Sequence, residues 1–210
     1  AHGLSAGAPG LSAELDHLVV TGATLDAAVA HVEAALGCAL DPGGAHAAFS
    51  THNRLLSLGP GLYLEAIAPD PAAPPPGRAR WFGLDTVAGP PSLSHWAVRV
   101  PDLSAAQAAG AAPGDLLDLA RGSYRWRMAV PQDGRAPIDG LFPAVLEWQG
   151  PHPAAALPDR GCRLQRLVLR HPAPAALAAL PAMHDPRISV EPGPPGVSAR
   201  IETPSGDRWL

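Results

Sequence analysis

Lysine is absent from this chain of 210 residues, so all fifteen basic side chains are arginines, set against nineteen acids for a net charge of −4. The arginines form no run, and without a basic stripe nucleic acid and anionic membrane are poor partners. Cysteine is almost as scarce. Cys38 and Cys162 lie far apart and fit no metal or redox spacing, which predicts two reduced, semi-buried thiols in a cytoplasmic protein and leaves a single disulfide open but without support. No stretch reaches the ~18 apolar residues that a membrane span needs. The opening Ala1-His2-Gly3-Leu4-Ser5-Ala6-Gly7 lacks a basic region followed by an apolar one, and reads as tag remnant and flexible lead-in.

What is present points to a folded protein. Hydrophobic residues make up 47% and charged ones 16%, enough to build a core in one domain or one compact repeat array. The prolines gather between periodic runs. Asp70 to Ser92 is one such proline-rich linker, with Trp81 and Phe82 available to pin it down.

The periodic runs repeat. Leu15-Asp16-His17-Leu18-Val19-Val20 and Leu93-Ser94-His95-Trp96-Ala97-Val98 each set one histidine early in an apolar strand. Each is answered downstream by a strand with one glutamate, Glu65 in the first case and Glu147 in the second, four places before Pro69 and Pro151. Thr24 offers a helix cap, Leu25, Val29, Val32 and Leu36 follow at helical spacing, and Gly37 ends the helix. A Pro-Gly-Gly turn at 42 to 44 leads to strands at Ala47 to Leu58 and Leu62 to Ala68, with a short strand near Ala39 to Leu40. The second unit repeats the order, with a short helix from Pro101 towards Gly110 and strands at Ser123 to Val130 and Ala144 to Trp148.

The prediction is an α+β fold. Two βαβββ modules, residues 14 to 70 and 93 to 150, curve their sheets around one cleft within a domain spanning 14 to 150. A third, shorter βαββ unit occupies 162 to 210, with a strand Cys162 to Arg170, a helix Pro174 to Leu180, and strands Arg187 to Glu191 and Val197 to Thr203. If Pro204 takes the place of Pro69 and Pro151, Arg166 and Arg200 hold the positions of the histidine and the glutamate. A guanidinium cannot bind a cation. The third unit is therefore expected to pack outside the cleft, with its two arginines on neighbouring strands.

On these residues, together with Thr51-His52-Asn53-Arg54-Leu55, Tyr63-Leu64-Glu65, Arg125-Trp126-Arg127 and Leu146-Glu147-Trp148, the chain resembles the glyoxalase-like branch of the vicinal oxygen chelate superfamily from about residue 14 to 150. The resemblance implies that His17, Glu65, His95 and Glu147 are metal ligands, the arrangement of glyoxalase I and methylmalonyl-CoA epimerase. It implies a divalent ion, Zn, Ni, Mn, Fe or Co, and a lyase or isomerase that moves a proton next to a carbonyl of a small oxygenated metabolite, with Glu147 or Glu65 as the base. It equally admits a metal-free small-molecule-binding protein of the bleomycin-resistance type. On the residues alone, His17 with Glu65 and His95 with Glu147 can also be hydrogen-bonded structural pairs. His46, Thr51 and Asn53 form a second polar cluster, read as substrate contacts or support for the site. His152, His171 and His184 are expected in exposed loops, and Trp126 and Trp148 in the core. The cleft can form within one chain or between two chains of a homodimer.

Overall fold

A computed structural model describes residues 12–210; the lead-in Ala1 to Gly7 lies outside the described residues. The first module runs β1 (Glu14–Thr21), α1 (Leu25–Leu36), β2 (Asp41–His46), β3 (Thr51–Ser57) and β4 (Tyr63–Pro69). The second runs β5 (Ser92–Arg99), α2 (Leu103–Ala108), β6 (Asp115–Arg121), β7 (Tyr124–Val130) and β8 (Ala144–Trp148). Thr24 caps α1 by accepting from the Ala27 amide at 3.2 Å, and Gly37 closes it in the left-handed region at φ 68°. Both ends of that helix follow from the sequence.

The two modules form one eight-stranded sheet in the order β2-β3-β4-β1-β5-β8-β7-β6. Within each module the first and last strands run parallel, while β1 and β5 join the modules antiparallel. The sheet curls until its edge strands β2 and β6 touch, so the cleft is enclosed by a single chain. Two strands differ from expectation. The Pro-Gly-Gly segment is not a turn but the bulged edge strand β2, where proline and glycine are tolerated because the ladder is already interrupted between Pro42 and Ala45. β6 is the strand that the βαβββ order requires after α2 but to which the sequence pattern assigns no residues: it is the opposite edge, partly exposed, and its Asp-Leu-Leu-Asp-Leu pattern carries no alternation.

The third unit comprises β9 (Arg163–His171), β10 (Ile188–Pro192), β11 (Gly196–Thr203) and β12 (Gly206–Trp209) in the order β10-β9-β11-β12. The expected helix is a single 3-10 turn at Pro174–Leu177; Pro174 suits its first position, and Pro181 disfavours helical backbone at Leu180 and stops it from extending. The unit has a fourth strand, β12, and it is not a copy of the other two. Its β11 lies antiparallel to β9, whereas β4 and β8 lie parallel to β1 and β5. Arg166 and Arg200 do face each other across β9 and β11, with Arg166 paired to Glu191 at 3.1 Å.

The core has two large parts, one on each side of the large sheet, and a small third cluster of Leu55, Tyr63 and Ala154. On the convex side α1, α2 and the third unit pack together around Leu18, Leu64, Trp96, Leu167 and Ile201, all fully buried. On the concave side Val19, Ile67, Ala97, Leu146 and the linker residues Trp81 and Phe82 form a separate cluster at the floor of the cleft.

Candidate functional site

The concave face holds a cavity with an empty volume of about 740 Å³ out to its open mouth. Aromatic rings make a large part of its walls. Trp126 and Trp148 pack with ring centroids 5.4 Å apart, and Trp81 stacks on Phe82 at 5.1 Å. Trp126 is a buried member of the concave-side core and Trp148 packs against that core, and both also line the cavity. His17, His46, Thr51, Tyr63, Glu65 and Arg121 supply the polar surface.

His17 is held from behind. β1 bulges between Leu15 and His17, which pair with Val98 and Ala97, so that Asp16 is an extra residue in the strand. Normal alternation would send Asp16 and His17 to opposite faces. The bulge lets Asp16 turn back, and its Oδ2 accepts from His17 Nδ1 at 2.6 Å. Asp16 Oδ1 accepts from His152 Nε2 at 2.8 Å, Trp148 Nε1 at 2.9 Å and Arg99 at 3.3 Å. Burial of this carboxylate, which is 0% exposed, opposes its ionisation. The hydrogen bonds and charges of His152 and His17 outweigh that penalty and hold Asp16 well below the usual carboxylate range.

The consequence is a fixed tautomer. An ionised carboxylate only accepts, so the proton of neutral His17 sits on Nδ1 and its Nε2 keeps a lone pair. Tyr63 stacks on the imidazole at 4.6 Å with 11° between the planes. Burial, then the charges of Asp16 and Glu65, push the Tyr63 phenol well above its ordinary value, so it stays protonated. His152 is pinned by both nitrogens, since its Nδ1 accepts from the Ala154 amide at 3.1 Å. It was expected in an exposed loop; instead it closes the site. Asp16 was not singled out from sequence, although a carboxylate inside an apolar strand beside a histidine is a readable signal.

Glu65 is held by the second polar cluster. Asn53 donates to Glu65 Oε2 at 2.6 Å, and its own Oδ1 accepts from the Gly44 amide at 2.9 Å, which fixes the direction of the amide. His46 contacts Thr51 at 3.1 Å and Asn53 at 3.4 Å, so the structure does bring His46, Thr51 and Asn53 together. Burial, reinforced by the charges of Arg121 and His17, lowers the His46 pKa despite the opposing pull of Glu65. A Cβ on Gly43 would come within 2.1 Å of Asn53 Oδ1. The glycine in the bulge is therefore what lets β2 close over Asn53.

The glyoxalase-like domain family matches residues 15–183. The chain belongs to that glyoxalase-like family. A crystal structure of a hypothetical protein from Staphylococcus aureus superposes with a TM-score of 0.61 at 11% identity, covering 88% of each chain, and so shares the fold. Methylmalonyl-CoA epimerase from Mycobacterium tuberculosis aligns over 73% of this chain and 97% of its own at 20% identity, with a TM-score of 0.44. No curated protein sequence matches the chain.

The four ligands that the glyoxalase-like resemblance implies do not come together. His17 and Glu65 line the cavity, and His95 and Glu147 do not. His17 and His95 hold equivalent places, since His17 faces Ala97 just as Val19 faces His95. His95 is nonetheless covered by Phe82, whose ring lies 5.1 Å away, and burial pushes its pKa down to about 4. For the glutamates the proline frame misleads. Glu65 pairs with Val19 across β1 and β4, and the corresponding Ala97 pairs with Ala144. Ala144 is the counterpart of Glu65, and Glu147 lies three residues further on. An odd shift flips the side chain to the other face, where Glu147 accepts from the Leu103 amide at 3.0 Å and caps α2.

The structural pairs considered as the other reading do not form either. His17 bonds Asp16, Glu65 bonds Asn53, and His95 bonds Ser94 at 2.7 Å. Among the described residues no group of three or more His, Cys, Asp or Glu is placed to hold a metal ion. The residues present do not fit the four-ligand centre.

Proposed function

We propose that this glyoxalase-like protein binds a small, flat, oxygenated metabolite in the aromatic cleft and moves a proton next to its carbonyl, as a lyase or isomerase does. The observation that carries this reading is the Asp16–His17 pair, in which a buried carboxylate fixes the imidazole with Nδ1 protonated. A base so held needs no reorientation before it accepts a proton at Nε2. Arg121 supports it. This guanidinium lines the same cavity and makes no hydrogen bond or ion pair among the described residues beyond its position 5.2 Å over the Tyr124 ring. It is free to hold the carboxylate or developing enolate of the metabolite. Glu65, oriented by Asn53, is the second group within the cleft able to carry a proton.

The aromatic walls favour a second reading, a binding protein of the bleomycin-resistance type that retains an aromatic ligand without altering it. One experiment separates the two. A panel of 2-oxo and 3-oxo acids is incubated with the protein in deuterated water, and exchange at the carbon next to the carbonyl is followed by NMR. Exchange that falls at least ~100-fold in His17→Gln and persists in Glu147→Gln supports the enzyme. Ligands that bind without exchange at any pH assign the cleft to retention instead.

A further inference from the structure

Two thiols with no role in the cleft lie together behind it. Cys38 follows the closing turn of α1 and Cys162 immediately precedes β9, 124 residues later, yet their sulfurs stand 3.0 Å apart. Both are free and both are buried, Cys162 completely. A disulfide holds its sulfurs about 2.05 Å apart, so the bond needs an approach of only about 1 Å. The surroundings are built as a joint. Arg160, two residues before Cys162, grips Asp41, three residues after Cys38, through two hydrogen bonds of 2.5 and 3.3 Å that hold the two segments side by side. Glu33 also receives the Leu40 amide at 3.1 Å, which fixes the segment carrying Cys38 against α1.

We propose that Cys38 and Cys162 are a modification site, oxidised to a disulfide that staples the third unit to the first module. The oxidant is a low-molecular-weight disulfide. One protein thiolate attacks it and releases one small thiol; the second protein thiolate then displaces the other, forming the S–S bond. Two protein thiols lose two electrons and two protons, and the oxidant takes them up as two thiols. Burial, then the contact with Cys38, pushes the Cys162 thiol up to about 12, which makes the docked thiol inert. The exchange therefore belongs to folding, before the third unit seats.

The absence of lysine makes the product easy to read. Cleavage after arginine releases Cys162 in the tripeptide Gly161 to Arg163 and Cys38 in residues 1–54. The full chain is refolded with oxidised glutathione, then unfolded and treated with iodoacetamide. The expected result is a mass lower by two hydrogens, no alkylation, and the tripeptide linked to residues 1–54. Reduction should then lower Tm on the order of 5–15 °C, given the long loop closed. Cys162→Ser should abolish the reductant dependence. Alkylation of both cysteines, or linkage between separate chains, overturns the proposal. A bond that forms without changing Tm overturns its role as a staple.

Discussion

Asp16 shows what a single residue contributes when its neighbours are chosen for it. Alone, a buried carboxylate would be neutral or too costly to keep. Here four donors converge on its two oxygens, from four separate places in the chain: His17, Arg99, Trp148 and His152. Asp16→Asn turns one acceptor into a donor facing an existing N–H, and is expected to cost about 3 kcal/mol or more in urea unfolding. The same change should remove an acid limb. Because the folded pKa is depressed, Asp16 contributes stability that is complete above its unfolded value near 4. That stability is lost as pH falls through the lower folded value. An Asp16→Asn variant that kept both its stability and its acid limb would leave the carboxylate without its assigned role.

At the scale of elements, the linker decides the fate of His95. The 3-10 segment Trp81–Thr86 bends through left-handed backbone at Phe82 and Gly83, both at φ 63°. For Phe82 that conformation costs on the order of 1–2 kcal/mol. The ring it delivers over His95 and the stacking on Trp81 offset the strain. Desolvation under Phe82 pushes the His95 imidazole down to about 4 in the folded protein against an ordinary 6.5. Between those values the unfolded chain binds a proton that the folded chain refuses, so stability rises with pH across that window. The stability lost amounts to about 3 kcal/mol once pH has fallen to the folded value. His95→Phe should therefore flatten the slope of stability between pH 4 and 6.5. A slope equal to that of the unaltered protein would show that another group titrates there.

At the scale of the whole molecule, the third unit is part of the core rather than an attachment to it. Leu164, Leu167, Leu169 and Ile201 belong to the same buried cluster as α1 and the convex face of the large sheet. Ending the chain before Cys162 would uncover that face. The expected outcome is loss of cooperative unfolding and binding of a hydrophobic dye such as ANS. A truncated chain that unfolds in one transition at an unchanged Tm would show that the two modules are independent of the third unit.

The sequence by itself determined the modules. Helix ends at Thr24 and Gly37, the apolar runs of β1, β4, β5 and β8, and the chain order shared by the two units depend on local periodicity and capping, which neighbours in sequence decide. It also carried the cluster of His46, Thr51 and Asn53, because two of its members share a strand face. Only the tertiary structure decided which acids face the cleft. The bulge at Asp16 and the register that sets Ala144 rather than Glu147 in the place equivalent to Glu65 are relations between strands. A shift of one or three residues there costs nothing in the sequence pattern yet turns a side chain from the cavity to the other side of the sheet. The covering of His95 by Phe82, the closing of Asp16 by His152 and the meeting of Cys38 with Cys162 are likewise contacts between distant segments, and no local pattern records them.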